Sequence, residues 1–301
     1  MTEFQRVSVI GLGYIGLPTA AVLASRKISV LGVDISQRVV DTINNGEVHI
    51  VEPDLDIVVN AAVTQGYLRA SLTPEPADAF LIAVPTPFKH DHEPDLAYVE
   101  SATRSIAQVL KQGDLVILES TSPVGTTERV AQWLAAERPD LKSPLTHPQE
   151  ADFRVAHCPE RVLPCHVLTE LIHNDRVIGG ITDECSNAAS RLYRTYVDAE
   201  LLITNARTAE MCNLVENSFR DVNIAFANEF AHFCEKAGID FVKVRNIINP
   251  LKFSRMAGLH KSRDSYFLVE EAEAVDVKLR MLLLATKISD ETLDHAIRLV
   301  R

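Results

Sequence analysis

The feature that most constrains the fold is a glycine-rich turn near the start of the chain. Residues 7–10 form a short apolar run, and Gly11-Leu12-Gly13-Tyr14-Ile15-Gly16 follows it directly. Residues 17–26 then predict a helix, and residues 28–33 predict a second buried strand that ends at Asp34. A G-x-G-x-x-G turn in this strand–turn–helix–strand context is typical of a dinucleotide-binding sheet.

Each glycine of this turn has a separate physical role. Gly11 permits the tight turn, Gly13 lets backbone N–H groups approach a pyrophosphate, and Gly16 lets the helix and strand pack closely. Asp34 is expected to accept hydrogen bonds from the adenosine ribose and to repel a 2′-phosphate, which favours NAD over NADP. Arg38 leaves that preference open, and a structural turn without a ligand is the alternative.

The rest of the chain predicts an α/β fold, a doubly wound (Rossmann) parallel sheet followed by an all-helical domain. Continuously apolar strand candidates alternate with helical patterns, as expected for a parallel sheet covered on both faces; the strands are 79–84, 115–120, 155–158 and 177–179, and the helices are 36–45, 96–110 and 127–137. From Ala206 up to Gly238 there is no Gly or Pro, and apolar residues recur at helical spacing. This stretch predicts one long helix.

Further helical segments at 241–248 and 267–300 follow that helix. We therefore predict an NAD-binding domain over residues 1–204, and a connecting helix with a central helical domain over residues 205–301.

Composition excludes several classes of function. The 30 Lys and Arg residues against 41 Asp and Glu give a net charge of −11, which argues against a nucleic-acid or anionic-membrane surface. The sequence has neither a membrane-spanning apolar run nor a signal-peptide pattern at Met1–Arg6. The 5 cysteines include no C-x-x-C pair, so we expect no zinc site and a reducing cytoplasm. His90 and His92 lie in a loop that we interpret as solvated and acidic, so no metal is expected.

Two further loops follow strands at the edge where doubly wound sheets bind ligands. The first is Val84-Pro85-Thr86-Pro87, and the second covers residues 119–127 and includes Thr121. Prolines stiffen both loops, and their hydroxyl groups can bond to a cofactor phosphate, ribose or amide. Alternatively, these are ordinary turns, with Thr126 or Thr127 as a helix cap.

Several motifs together carry a specific pattern, namely Val9–Pro18, Val84–Pro87, Ser120–Thr127 and Cys158–Pro164. This pattern resembles the UDP-glucose/GDP-mannose dehydrogenase family. The stretches Thr208–Met211 and Glu216–Glu229 are similar to a bacterial subgroup that oxidises UDP-N-acetyl-D-mannosamine for polysaccharide precursors. The resemblance is almost unbroken from residue 7 to Asn249.

The resemblance implies a double oxidation at C6 of a UDP-linked sugar with NAD as cofactor. In the family, a cysteine captures the intermediate aldehyde, and water hydrolyses the resulting thioester. A lysine and an asparagine, four residues apart on the long helix, stabilise the oxyanion, while a Glu and an Asp assist proton and water chemistry. By position, the catalytic Glu, Asn and Asp correspond to Glu160, Asn217 and Asp264.

The family's binding positions also map onto this sequence. Nucleotide-sugar contacts correspond to Arg161, Val162, Asn217 and Arg220, and cofactor contacts to Tyr14, Ile15, Asp34, Thr86 and Thr127. The helical domain of the family pairs two subunits, so we expect a homodimer. Family members also have a third, UDP-binding domain, which we expect a chain of 301 residues to lack.

Two departures from the family pattern affect the predicted catalysis. Asn213 stands where the family has its lysine, and a neutral amide supplies no positive charge. Counting back four residues from Asp264 reaches His260 instead of the cysteine, and no cysteine follows Cys234. His260 is either a base or a simple loop histidine. We therefore expect the full four-electron oxidation to be lost.

Two other cysteines lie near the Glu160 motif. Cys158 is predicted to be a buried strand-end residue. Cys165 follows Pro164, where the family usually has Gly, and either lines the sugar pocket or is structural.

Three hypotheses for function follow. The first is an NAD-dependent nucleotide-sugar dehydrogenase. The second is a non-catalytic relative: an NAD-binding pseudoenzyme, a regulatory partner of a complete enzyme, or the product of a decaying gene. The missing Lys and Cys discriminate between these two. The third, a dehydrogenase of short hydroxyacids, is disfavoured by the motifs at 158–164 and 216–229.

Overall fold

The computed structural model describes residues 4–89, 93–162, 165–248, 265–274 and 278–300. The chain forms two compact units, of which the first extends to Met211 and the second, for the most part, begins at Cys212. This division falls inside the long helix predicted from the sequence. The domain limits at residues 204 and 205 stay a prediction.

The first unit contains a single eight-stranded sheet. Its strands are β1 (Arg6–Ile10), β2 (Ser29–Val33), β3 (Leu68–Ser71), β4 (Ala79–Ile82), β5 (Leu115–Leu118), β6 (Arg154–His157), β7 (Arg176–Gly180) and β8 (Leu201–Asn205), in the order β3-β2-β1-β4-β5-β6-β7-β8. Strands β1 to β6 are parallel. Strand β7 is antiparallel to β6, and β8 is parallel to β7. The prediction of a doubly wound sheet is confirmed, but β7 runs in the direction opposite to the one predicted, and β8 was not predicted.

Helices cover both faces of this sheet. They are α1 (Gly16–Ser25), α2 (Gln37–Asn44), α3 (Leu55–Thr64), α4 (Ala97–Ala107), α5 (Thr126–Glu137), α6 (Val167–His173) and α7 (Asp183–Tyr193). Alternate residues of β5 face opposite sides, so Leu115 and Ile117 belong to one apolar cluster, and Val116 and Leu118 to the other. Burial on both faces explains why the strands are continuously apolar.

The described part of the second unit is helical. Helix α8 (Ala206–Ala237) leads from the first unit, and α9 (Phe241–Ile248), α10 (Ser265–Ala274) and α11 (Arg280–Val300) follow. The single segment predicted over 267–300 was wrong, because α10 and α11 are separate helices. Residues 278 and 279, which the structure describes between these two helices, are not helical. No helix within the described ranges is both long and apolar enough to cross a membrane.

Candidate functional site

The glycine-rich turn lies at the carboxyl end of β1, where the strand order reverses between β1 and β4. A Cβ atom on Gly11 would lie 2.7 Å from the carbonyl oxygen of Ala83, and one on Gly16 would lie 1.8 Å from that of Gly11. Both positions therefore require glycine. By contrast, a Cβ on Gly13 would meet no atom within 4 Å. The backbone at Gly13 is therefore open to a ligand, and the neighbouring Tyr14 is exposed.

The groups beside this turn suit a dinucleotide. No side chain caps the N-terminus of α1, so no acceptor side chain competes with a ligand there. Within this first turn, the Leu17 N–H donates to the Gly13 carbonyl at 3.1 Å. Asp34 follows β2, and its Oδ2 accepts a hydrogen bond of 3.0 Å from the Leu12 N–H. Its Oδ1 accepts one of 2.9 Å from the Ser36 N–H. These two bonds fix the carboxylate next to the glycine turn, where a ribose would lie.

The loops after β4 and β5 are hydrogen-bonded to each other. The Ser120 hydroxyl donates to the Val84 carbonyl at 2.7 Å, and the Thr86 hydroxyl donates to the Thr121 carbonyl at 2.7 Å. The structure thus brings most of the predicted cofactor residues to the carboxyl edge of β1, β2, β4 and β5; they are Gly11, Gly13, Tyr14, Ile15, Gly16, Asp34, Val84, Pro85, Thr86 and Thr121. We call this set the cofactor edge.

Thr127, also predicted to contact the cofactor, is buried at the start of α5. Its hydroxyl donates to Glu210 Oε1 at 2.6 Å, and the Glu210 carboxylate also accepts the N–H groups of Gly125 and Thr127 at 2.7 Å. The N-cap residue is Gly125 with φ of 91°, so the alternative that Thr126 or Thr127 caps this helix was wrong. Burial raises the pKa of Glu210. A role for Thr127 at the cofactor stays a prediction.

Glu160 lies just after β6 and takes part in a buried ion pair. Its Oε2 lies 2.5 Å from Nη1 of Arg176, the first residue of β7. Its Oε1 accepts the N–H of Arg161 at 2.7 Å. The fold therefore pairs the predicted catalytic carboxylate with Arg176, a partner that the sequence analysis did not predict.

A second carboxylate, Glu119, lies in the same buried region at the end of β5. Its Oε1 accepts the Tyr193 hydroxyl at 2.7 Å. Burial, with a smaller contribution from the negative charge of Glu160, raises the pKa of Glu119 to about 7. Sequence reasoning missed Glu119, Arg176 and Tyr193. The available signal was a charged residue at the margin of each apolar strand, next to 115–118 and 177–179.

The two cysteines near this region differ in environment. Cys158 is fully buried, and burial raises the pKa of its thiol to about 12, so the thiol stays protonated. The prediction that Cys158 is a buried strand-end residue is confirmed. Cys165 is exposed and has a positive φ of 70°, the conformation that favours the glycine usual in the family. Its backbone N–H donates to Glu52 Oε2 at 2.9 Å.

The remaining predicted site residues belong to the second unit. Asn213 is buried, and its Oδ1 accepts a hydrogen bond of 3.4 Å from Asn217 Nδ2, one turn further along α8. Arg220 follows on the same helix and is half-buried. Asp264 and His260 lie outside the described residues, as do His90 and His92. Across the described ranges, no cluster of three or more His, Cys, Asp or Glu side chains is arranged to hold a metal ion.

Comparison of the sequence with known families gives two adjacent matches. The NAD binding domain of the UDP-glucose/GDP-mannose dehydrogenase family matches residues 5–197, and the central domain of that family matches residues 207–291. The first match confirms the predicted cofactor, NAD.

Named relatives are similar over most of this chain. UDP-N-acetyl-D-mannosamine dehydrogenase of Escherichia coli (strain K12) is 64% identical over 247 residues, which cover 82% of this chain and 59% of that protein. NDP-N-acetyl-D-galactosaminuronic acid dehydrogenase of Ralstonia nicotianae is 63% identical over 247 residues, which cover 82% of this chain and 58% of that protein. The chain therefore spans less than two thirds of the length of these relatives.

Solved structures agree with this comparison. The UDP-D-ManNAc dehydrogenase of Pyrococcus horikoshii is 37% identical with a TM-score of 0.89, covering 98% of this chain and 70% of that one. A UDP-glucose dehydrogenase from Pyrobaculum islandicum is 26% identical with a TM-score of 0.86, covering 99% and 71%. These similarities confirm the predicted order of a doubly wound domain followed by helices.

Proposed function

The chain belongs to the UDP-glucose/GDP-mannose dehydrogenase family, and on this premise we propose that it oxidises C6 of a UDP-linked N-acetylhexosamine with NAD. The observation that carries the proposal is the cofactor edge, where three loops meet around the open backbone of Gly13. The 64% identity to a UDP-N-acetyl-D-mannosamine dehydrogenase supports UDP-N-acetyl-D-mannosamine as the first substrate to test. Its product would serve polysaccharide precursor synthesis.

The residues at the cofactor edge fit NAD. The open backbone at Gly13 and the uncapped N-terminus of α1 would hold the pyrophosphate, and Asp34 would hold the adenosine ribose. Thr86 and Thr121 belong to the loops that would enclose the rest of the cofactor. When bound, NAD supplies a hydride acceptor. The chain's own contribution is to orient the cofactor and the sugar.

We further propose that oxidation does not proceed beyond the aldehyde. His260 stands at the family's cysteine position, and an imidazole does not form the thioester that the second oxidation requires. Cys158 is no substitute, because its thiol is buried and has a pKa of about 12. Asn213 at the lysine position also lacks the positive charge that stabilises an oxyanion.

A non-catalytic role is the second candidate. The same two positions, Asn213 and His260, favour a relative that binds NAD without turnover, whether as a regulatory partner of a complete enzyme or as a decaying gene product. NAD binding is common to both candidates, so sugar turnover separates them.

The test is an assay of NADH formation with two substrates in parallel, UDP-N-acetyl-D-mannosamine and UDP-N-acetyl-D-galactosamine. The second substrate is included because the Ralstonia relative, at 63% identity, is named as an NDP-N-acetyl-D-galactosaminuronic acid dehydrogenase. One NADH per sugar, with an aldehyde seen by mass spectrometry, supports the main proposal. Two NADH per sugar contradict the limit at the aldehyde, and NAD binding without NADH supports the non-catalytic candidate.

NAD binding is tested separately by thermal shift. We expect millimolar NAD to raise the melting temperature of the wild type, because a ligand that binds the folded state stabilises it. The variant Asp34→Asn should show a smaller rise, since it loses charged acceptors for the ribose. Asp56→Asn, an exposed carboxylate in α3, is the matched control and should respond like the wild type. Equal shifts in all three proteins would argue against the role of Asp34.

We also propose a homodimer formed through the second unit. Phe219, Phe226, Phe230 and Phe233 lie on one face of α8 and are between 39% and 71% exposed. The last three stack in sequence, with ring centroids 5.7 and 5.9 Å apart. A row of exposed aromatic side chains at helical spacing supports a protein contact surface.

A further inference from the structure

The ion pair at the end of β6 holds both oxygens of Glu160. Arg176 Nη1 lies 2.5 Å from Glu160 Oε2, and the two side chains are only 2% and 5% exposed. Glu160 Oε1 accepts the backbone N–H of Arg161 at 2.7 Å. A carboxylate held at both oxygens by donors of fixed direction has little freedom to rotate.

Arg176 is itself held in several ways. Its Nη2 donates to the Leu171 carbonyl at 3.1 Å, and its Cζ lies 5.8 Å from the centroid of the Tyr193 ring. The antiparallel register of β6 and β7 pairs residues 156 and 157 with 180 and 179, and its continuation places Arg176 level with Glu160. A planar guanidinium can contact the face of an aromatic ring and donate hydrogen bonds in two directions at the same time. Lysine does not reproduce this combination.

The second buried carboxylate, Glu119, is hydrogen-bonded to Tyr193 and does not compete with Glu160 for Arg176. Glu119 accepts the Tyr193 hydroxyl through Oε1, while its Oε2 has no hydrogen-bond partner in the described part of the chain. Burial raises the pKa of Glu119 to about 7, so near neutral pH a large fraction of it is uncharged. The guanidinium of Arg176 is therefore paired chiefly with Glu160 in this buried region.

We propose that Arg176 is a positioning residue that fixes the direction of the Glu160 carboxylate, with Tyr193 holding the guanidinium in place. The inference rests on the proposed function, together with the role in proton chemistry that the family resemblance implies for Glu160. A fully buried ion pair contributes little net stability compared with apolar side chains of the same volume, because desolvation offsets the attraction. Fixed orientation of a reacting group is the benefit that such a pair supplies.

The test uses the Arg161 amide as a spectroscopic reporter, since that N–H donates to Glu160 Oε1. Amide resonances of the labelled full chain are compared between the wild type, Arg176→Met and Arg176→Lys. Glu160→Ala gives the position of the Arg161 amide when the carboxylate is missing. Arg69→Met, which removes an exposed ion pair with Glu75, is the matched control.

We expect Arg176→Met to move the Arg161 amide toward its position in Glu160→Ala, because the released carboxylate turns away. Arg176→Lys should give an intermediate shift, and Arg69→Met should give none. If Arg176→Met does not fold, Arg176→Lys, which keeps the positive charge and most of the side-chain volume, decides by the same criterion. An Arg161 amide that stays unchanged in every folded variant overturns the proposal.

This readout needs no turnover, so the positioning role and the proposed function fail separately. A wild type that forms no NADH refutes the proposed activity, while the amide shift still decides the role of Arg176. Where NADH does form, Arg176→Lys should lower kcat roughly tenfold or more and leave the KM for NAD unchanged, since a misplaced group costs rate more than binding. An unchanged kcat would contradict the positioning role.

Discussion

Two buried titratable residues, Glu119 and His157, lie near the ends of neighbouring strands and are shifted in opposite directions. Burial raises the pKa of Glu119 from 4.5 to about 7, and burial lowers the pKa of His157 from 6.5 to about 3. Protonated Glu119 stabilises the folded state. This contribution to stability is fully present below pH 4.5 and is lost as the pH rises through about 7. The contribution of neutral His157 is present above pH 6.5 and is lost as the pH falls toward 3.

The first prediction is that Glu119→Gln changes how stability depends on pH. Gln keeps an oxygen for the Tyr193 hydroxyl but does not ionise, so the variant should lose less stability than the wild type between about pH 5 and pH 8. We expect the difference in the free energy of unfolding to be on the order of 1–3 kcal/mol. Urea unfolding followed by the fluorescence of Trp133 measures it, with exposed Glu47→Gln as control. Parallel pH profiles for Glu119→Gln and the wild type would contradict the assigned pKa.

The second prediction concerns the positive φ of Cys165. We expect Cys165→Gly to be as stable as the wild type or up to about 1 kcal/mol more stable, because glycine adopts this conformation without a Cβ clash. Cys165→Val should be destabilised, since a β-branched residue is more strained there. Chemical unfolding of both variants, with Cys165→Ala as the control that keeps a Cβ, measures the difference. A glycine variant less stable than the alanine variant would speak against backbone strain.

At this scale the sequence predicted the residues whose role depends on local geometry. Gly11 and Gly16 are recognisable because their spacing follows from one turn, and Asp34 because it ends a strand next to that turn. Glu119 and Arg176 could not be recognised, because their partners come from distant strands and helices. Such contacts depend on packing that no local pattern encodes.

Among the elements, helix α5 has an unusual start. The donors there are satisfied by Glu210, a residue from a different helix, instead of by a local cap. One buried carboxylate therefore accepts three hydrogen bonds and joins the loop after β5 to the start of α8. Removing it would leave two N–H groups and a hydroxyl unsatisfied in a buried environment.

The third prediction follows from this contact. We expect Glu210→Ala to lower the free energy of unfolding by about 2–4 kcal/mol, and Glu210→Gln by less, because Gln keeps one acceptor oxygen. The neighbouring Glu128→Ala loses only an exposed ion pair with Arg207 and should change stability by less than about 1 kcal/mol. Thermal unfolding and hydrogen exchange at the Thr127 amide measure these effects. Equal losses in Glu210→Ala and Glu128→Ala would contradict the importance of burial.

Element types were easier to predict than their directions. Strands β1, β2, β4 and β5 are continuously apolar and were identified near their observed positions. Strand β8 was missed although residues 201–203 form an apolar run; it lies at the edge of the sheet, and Leu202 and Ile203 are exposed there. The reversal of β7 was also missed, since a buried strand has the same composition in either direction.

For the molecule as a whole, the net charge of −11 and the length of 301 residues suit many soluble enzymes and do not distinguish among them. The family assignment instead depends on ordered motifs spread from Val9 to Glu229. What the sequence does not encode locally is assembly, which depends on surfaces such as the exposed phenylalanine row of α8.

The fourth prediction concerns that assembly. Light scattering should give a mass of two chains for the wild type, and Phe226→Asp with Phe230→Asp should give one chain, since charges in a buried interface are costly. Ile57→Asp, an exposed apolar residue of α3, is the control and should keep the wild-type mass. A wild-type mass equal to a single chain would refute the homodimer.

The reversed direction of β7 has a consequence for how the sheet tolerates change. Because the strand is reversed, its first residue lies at the carboxyl edge of β6; in a parallel strand the same residue would start at the far edge, roughly 13 Å away for a five-residue strand. Loop insertions before β7 would leave Arg176 in place, whereas a slip of two residues within β7 would break its pairing with Glu160. Among related sequences, we therefore expect the loop before β7 to vary in length, whereas the register of β7 should stay the same.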